Sequence, residues 1–596
     1  MKRSVLSVMM MFFVALCAAG QEYMDAVLYL TGASAPEELD SEVLERFDAL
    51  ASRPLRINTA TEARLVSSGL FSRYQAASLA DYRRLSGDIL SVAELALVDG
   101  FGGEAARALA PFISFETQAP PGRSSLEKGR VTAEAMARSA VQYQEGKGTG
   151  SHALKVRIGD DDRWLLSLAA KQASLKPAWP RLNVSGSGSS QPPGTLSASA
   201  VIYGRRRACK AVIGDFNARF GQGLLLWSGF SLSGVQSAAA MDRHPSGLSP
   251  AWTLSPDAAH RGAAADIAFG RVVLSGFWSA GKCLGANITW LARLGHLGLT
   301  ATVNPPSSAT ASSSTPVAVP SSAPSLPLPE ALLSADYRWS LGKFDVFGEA
   351  AGDLANRTVA FLTGAAWNPA YQVRIAASVR SYPAAYTAPL AGALRSSTRS
   401  SDERGASFAV DYKKLTITAD AVHHPSKDTR QFKAIAKYSP QLTERLTLGL
   451  RAVSRLRPSD PYPWRNDVRL EAAVAAGRLS LKGCAAACRC ADLSWLTYLE
   501  GGYIDESSGR KFSFHLRGTA FKVDRWEDRI YIYERDVPGS FSVPAYYGRG
   551  CSASAVASVK RRHLSLHARA HYTAYPGMAG QKPSRAGLKL QLQLSF

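Results

Sequence analysis

Cysteine is scarce in this chain, long apolar runs are nearly absent, and no motif of a known catalytic chemistry is present. Seven cysteines stand in 596 residues, and Cys17 lies within an N-terminal apolar stretch. The other six are Cys209, Cys283, Cys484, Cys488, Cys490 and Cys551, too few to form the disulfide framework of a small secreted fold. The cluster "CAAACRC" at 484–490 lacks the paired spacing or the histidine partners of a zinc site, so it reads as a bridge or a buried set. His563, His567 and His571 are spaced too far along one strand to ligate one metal, and His423–His424 offers no better site. Neither a nucleophile elbow, an HExxH pair nor a P-loop occurs. "GDFNARFGQGL" carries Gly221 and Gly223 without a strand–helix unit around them, which points to a tight bend inside the fold and away from nucleotide binding. The expectation is a non-enzyme, with no metal and no cofactor.

Only the N-terminus is continuously apolar. Lys2 and Arg3 precede "VLSVMMMFFVALCAAG", the pattern of a signal peptide over residues 1–20 with cleavage expected before Gln21. The bulky Leu16 ahead of Cys17 argues against lipid attachment there. No other run is long enough for a transmembrane helix, so an exported chain of this kind is either soluble or a membrane barrel.

Charge is divided unevenly. The chain holds 69 Lys and Arg against 48 Asp and Glu, a net of +21. Residues 21–120 carry 8 basic and 15 acidic residues, whereas 121–596 carry 59 and 33. An acidic head therefore precedes a strongly basic body, and their mutual attraction is physically reasonable.

The head reads as short helices. "APEELDSEVLERFDALA" (35–51) has helical apolar spacing, with Pro36 placed for a first turn. Capping-box patterns follow at Thr59–Glu62, Ser72–Gln75 and Ser91–Glu94. "GFGG" (100–103) then separates two helices, and its backbone N–H groups suit a phosphate without reading bases. The segment 55–113, with its "INTAT" entry, its "DYR…G…S..EL..V.G.G" middle and its closing "L.PFI", resembles the tandem helix-hairpin-helix domain of ComEA-type DNA receptors. The resemblance implies nucleic-acid contacts at Gly69, Ser72 and Arg73 in the first hairpin and at Gly100, Gly102 and Gly103 in the second. The first hairpin departs from the pattern, with Phe71 and Ser72 where a second glycine and a small residue belong. Residues 53–113 also hold seven Arg against six acids, and Asp99 and Glu104 flank the second hairpin. So little net charge favours hairpins that serve as structural turns over hairpins that hold DNA.

From about residue 130 the period changes to two. In "LKLQLQLSF", Leu588, Leu590, Leu592, Leu594 and Phe596 share one face and Lys589, Gln591, Gln593 and Ser595 the other. Phe596 at the chain end is the assembly signal typical of outer-membrane barrels, and the alternation suits lipid outside and a wet lumen inside. Similar runs recur at 407–424 and 552–572, joined by short turns, while the low-complexity links 185–194 and 305–329 fit outer loops. Residues 130–596 would supply about 14–18 strands at roughly 10 membrane residues each plus connections. The blocks 212–231, 257–269 and 528–550 resemble a Bacteroidetes-type outer-membrane barrel family with a helix-hairpin-helix head. The expected architecture is an all-β transmembrane antiparallel barrel (130–596) preceded by a small all-α periplasmic domain (21–120) and a linker (121–129). Its partners would be outer-membrane lipid, the barrel assembly machinery, and either DNA or a periplasmic protein. Two functions stand: a barrel that binds or passes DNA or another polyanion, and a scaffold or self-plugged barrel whose head binds protein.

Overall fold

A computed structural model describes residues 23–117, 131–160, 163–173, 194–204, 209–255, 259–304, 330–370, 372–443, 445–507, 509–576 and 583–596. The signal-peptide region, the linker 121–129 and the low-complexity links lie outside these residues.

From Val131 onward the chain forms one closed antiparallel barrel of 24 strands, with the short strand Gly247–Pro250 added to the inner end of Cys209–Arg219. Sequential strands are neighbours throughout, and the ring closes where the last strand, Arg585–Ser595, pairs with the first, Val131–Gln144. Phe596 completes this seam. Its N–H donates to Ala133 O at 2.8 Å, and its ring stacks on His563 with centroids 5.6 Å apart. The count exceeds the expected 14–18 because many connections are turns of two to four residues, such as Glu145–Gly146, Lys413–Lys414 and Gly477–Arg478. Each strand with its connection therefore uses roughly 20 residues, where the sequence estimate had allowed longer loops.

Side-chain alternation follows the period-two reading. Leu590 and Leu592 point outward and are exposed, whereas Gln591 between them is 2% exposed and faces the lumen. Leu166, Leu299, Leu450, Leu470 and Leu516 continue the apolar exterior around the ring. Tyr412, Tyr438 and Trp367 stand at strand ends on one rim, and Tyr143, Trp278 and Trp464 on the other. An apolar outer belt between aromatic girdles, with strands mostly 10–14 residues long, is the surface of a membrane-spanning barrel. No helix among the described residues is long and apolar enough to cross a membrane. The rim that holds both strand-end termini carries the shorter turns. The opposite rim carries the long connections 220–246, 383–402 and 524–547.

The head consists of α1 (23–31), α2 (Ser41–Ser52), α3 (Glu62–Ser67), α4 (Arg73–Ser86), α5 (Val92–Leu95) and α6 (Gly102–Leu109). Its core gathers Phe47, Leu65, Phe71, Leu79, Ile89, Leu95 and Phe112. Ser72 and Gln75 form the expected reciprocal cap. Ser91 caps Glu94 N–H, but the Glu94 carboxylate accepts from Leu90 N–H. Two starts move. Thr61, not Thr59, caps α3, because Asn58 exchanges two hydrogen bonds with Ile89 and holds residues 57–60 outside the helix. Pro36 opens only a 3-10 turn, Pro36–Glu38, and α2 begins at Ser41 under the Asp40 carboxylate, which accepts Val43 N–H at 2.8 Å.

Replacing Phe596 with Ala removes the stack on His563 but keeps the backbone pair. The expected outcome is a lower yield of membrane-inserted barrel with heat-modifiable electrophoretic mobility; a yield equal to that of the unmodified chain would refute a closing role for the ring.

Candidate functional site: the filled lumen

The head lies inside the barrel. α2 turns its apolar face, Val43, Leu44, Phe47 and Leu50, into the head core. Its other face carries Glu42 and Glu45, three apart on the helix, and the 3-10 turn before it carries Glu37 and Glu38. Each meets a cation or polar group of the wall. Glu37 pairs with Arg469 at 2.8 Å, Glu38 with Arg451 at 2.6 Å and Glu45 with Lys155 at 2.8 Å. Glu42 accepts from Asn217 at 3.3 Å, with Arg219 at 4.0 Å. Lys155 and Arg219 come from Lys147–Asp160 and Cys209–Arg219, while Arg451 and Arg469 come from Leu446–Leu456 and Trp464–Ala476, across the ring. One acidic stretch thus bridges separate parts of the wall.

Long connections of the far rim fold inward to meet it. Asp48 accepts Gly539 N–H at 2.7 Å and Tyr23 OH at 2.6 Å. Phe230 and Leu232 from one connection, and Tyr533 and Phe541 from another, pack on the head core. Arg138 donates to Pro538 O and Gly539 O, and Asp536 pairs with Lys589 at 2.5 Å and Arg569 at 3.3 Å. Gly221 and Gly223, both at positive φ, bend the backbone so that Gln222 N–H and Leu224 N–H converge on Glu349 Oε2 at 2.7 and 2.9 Å. This is the tight bend expected of that block. The charged residues around that block part company: Arg261 pairs with Asp215 at 2.7 Å, while Arg219 turns to the head.

The residues expected at the two hairpins have different fates. Gly69 and Ser72 are occupied inside the lumen, with the Ser72 hydroxyl taken by its cap and the space beside Gly69 taken by the Arg46 guanidinium. Arg73 is buried. It donates to Thr289 at 2.9 Å, Asn287 at 3.1 Å and Ser275 at 2.6 Å, pairs with Asp266 at 3.4 Å and lies over the Phe220 ring. Gly100, Gly102 and Gly103 sit at the short-turn rim, beside the Tyr74 hydroxyl that donates to Arg293 O. Gly100 and Gly102 are exposed, and both adopt positive φ; a methyl at Gly100 would fall 2.8 Å from the Tyr74 ring. The structure thus separates the two turns. Of the two readings of "CAAACRC", it holds the buried set: Cys484 and Cys488 are buried and all six thiols are unbridged. His567 and His571 share a strand with lumen-facing Arg569, while His563 lies in the turn before it.

Sequence reasoning found the attraction of head for body but not its residues. The four glutamates within 37–45 were the available signal. Their wall partners carry none, since a lumen-facing arginine and a loop arginine look alike in sequence.

No protein-family model matches the chain, and no curated protein matches it. Among solved structures it is similar to the P pilus usher (PapC) translocation pore, with 10% identity and a TM-score of 0.40 over 78% of this chain and 99% of that one. It is also similar to the usher-containing E. coli P pilus tip assembly intermediate, with 11% identity and a TM-score of 0.44, covering 80% of this chain and 64% of that one. Pseudomonas aeruginosa OccK3 (OpdO) shows 9% identity and a TM-score of 0.28 over 78% and 95%. Likeness at this level extends to a barrel and no further.

Breaking one buried pair strands its partner. Glu45→Ala leaves Lys155 only Trp252 O and the Trp252 ring, with the ammonium almost fully buried. A cost of about 3–5 kcal/mol is expected, read as faster amide exchange in α2, and Glu45→Ala/Lys155→Ala should recover part of it. Acid should act in two stages. Burial raises the Asp48 carboxyl, so its contribution to docking improves as pH falls through its raised pKa. Burial would also raise Asp536, but the charges of Arg569 and Lys589 outweigh it and hold the group below the usual carboxylate range. Its contribution is therefore present above the ordinary aspartate pKa of about 3.9 and lost as pH falls through the depressed value. Amide exchange over 536–541 should stay slow between about pH 7 and about pH 5 and accelerate only in stronger acid. Acceleration already near about pH 5 would overturn this assignment.

Proposed function

We propose that this protein is an outer-membrane barrel closed by its own N-terminal head: a gated conduit, not an open pore. The observation that carries this reading is the set of four glutamates in 37–45 facing wall groups on distant strands, with inward connections packed on the same head. In outer-membrane barrels the shorter turns face the periplasm. The head would therefore enter from the periplasmic side and present the Gly100–Gly103 turn there. Outer-membrane lipid and the barrel assembly machinery are the partners this placement implies.

A second reading assigns phosphate binding to that exposed turn, favoured by the exposure of Gly102 and the open space around it. Asp99 and Glu104 beside it oppose a polyanion. Titration of the full chain in detergent with duplex DNA at low salt separates the two. The self-plugged reading expects no binding that depends on Gly102, whereas loss of binding in Gly102→Val would establish the second.

The plug itself is tested by conductance in planar bilayers. The unmodified chain should pass little current, and Glu38→Gln/Glu45→Gln should raise the open fraction several-fold. Equal, large conductance in both would sink the plug.

A further inference from the structure

We infer that the outer wall carries a binding site for a lipid with an anionic phosphate headgroup, built from Arg404 and Arg430 at the rim of the long connections. The site rests on the membrane-spanning barrel and not on the plug. Arg404, His423 and Arg430 belong to three consecutive strands, Glu403–Tyr412, Leu415–His424 and Thr429–Tyr438. Arg404 lies directly across from His423, and His423 across from Arg430, so the three form one row. The row faces outward. Two residues further along the same strands it continues as Ala406, Ala421 and Phe432, all exposed. The alternate positions face the lumen, where Ser407 and Asp420 accept from Arg380.

Neither guanidinium has an ion pair or a side-chain hydrogen bond among the described residues, and both are exposed. The two carboxylates of the adjoining connections are turned elsewhere. Asp428 hydrogen-bonds His423 Nε2 at 3.0 Å, and Asp402 accepts Ser426 N–H at 2.9 Å. Lys427 adds a third exposed cation in the same turn. Other outward cations of this rim are placed differently. Arg261 pairs with Asp215 at 2.7 Å, Lys522 and Arg549 share Asp524 at 3.9 and 2.6 Å, and Arg489 stands between Asn466 and Leu493. The level of the row fits a headgroup. Arg404 lies eight residues from Tyr412 of the opposite girdle, about 26 Å along the strand at about 3.3 Å per residue. At a tilt of about 40° this spans about 20 Å, close to the height of the apolar band, so the row stands where the band ends. Below it, Ala406 and Ala421 leave a shallow strip between Val379 and Phe432, on which acyl chains can lie. A free phosphate has no use for that strip. Two strand spacings separate Arg404 from Arg430 by about 10 Å, within reach of two long side chains closing on one headgroup. Guanidinium groups bind phosphate through paired hydrogen bonds, and anionic headgroups attract such cations at a membrane surface.

The test uses the full chain in detergent, with phosphatidic acid, phosphatidylcholine or oleate added at equal concentration and retained lipid counted by native mass spectrometry. The unmodified chain should retain phosphatidic acid several-fold better than the other two. Arg404→Gln/Arg430→Gln should lose most of that preference. Arg489→Gln/Lys522→Gln, which removes two outward cations of the same rim but spares the row, should keep it. No preference in the unmodified chain, or equal loss in both double variants, overturns the site. Oleate retained as well as phosphatidic acid refutes the phosphate class. Displacement of the lipid by inorganic phosphate in large excess assigns the row to the free ion and refutes a lipid site. Should the first double variant fail to insert, as read by heat-modifiable mobility, Arg404→Gln and Arg430→Gln are measured singly. Each should lower retention, and retention unchanged in both overturns the site. None of these outcomes bears on the plug, which conductance reads separately.

Discussion

The structure depends on pairing an acidic face with a basic enclosure. A ring of 24 strands encloses more space than strand side chains alone can fill, and its inner face is polar by the same alternation that makes its outer face apolar. A folded head with an apolar surface would find no partner on such a wall. A head whose wall-facing side chains are four glutamates and Arg73 does, because the wall presents Lys155, Arg451 and Arg469 to the carboxylates and Asp266 to the guanidinium. Buried pairs of this kind add little net stability over apolar packing, since each ion gives up its hydration. Their effect is positional. With Glu37 and Glu38 held on two adjacent strands and Glu45 on a distant one, α2 has one orientation that satisfies every charge.

Apolar packing takes over where the charges stop. The inner end of the head meets no bare wall; it meets Phe230, Leu232, Tyr533 and Phe541, which the long connections carry inward. Those connections are pinned in turn by wall groups, Asp536 by Arg569 and Lys589, and Asp242 by Arg338 at 2.9 Å. The lumen is thus filled in two layers: a helical layer from the short-turn rim and a loop layer from the opposite one. Asp48 joins them through Gly539 N–H.

Much of the wall was legible in the sequence, because period two is a local property: Leu588 through Leu594 alternate with polar residues however the strand is paired. The strand number was not legible, since chain length alone leaves the connection lengths open. In the head, Ser72–Gln75 could be read as a cap because both of its partners lie within four residues. Thr59 could not be excluded, because what displaces the helix start is Asn58 binding Ile89, a contact across 31 residues. The candidate site divides the same way. Gly100 and Gly102 show their turn in sequence, whereas the burial of Arg73 depends on Asp266, Ser275, Asn287 and Thr289, which only barrel closure brings together.

The two turns of the head show what such enclosure does to a surface that resembles a binding module. Arg73 is the basic residue beside the first turn, and its guanidinium is fully engaged by one carboxylate and three neutral acceptors from three strands. A ligand could recruit it only by leaving Asp266 and Lys210, themselves paired at 3.0 Å, with one cation fewer between them. At the second turn the space around Gly102 is open, but Arg107, the nearest helical cation, is paired with Glu104 at 2.9 Å. The turn that owns a cation has lost its exposure, and the turn that keeps its exposure has a cation already matched. That division follows from docking the head with its acidic side inward, so the same contacts that fill the lumen decide which part of the head remains available at the rim.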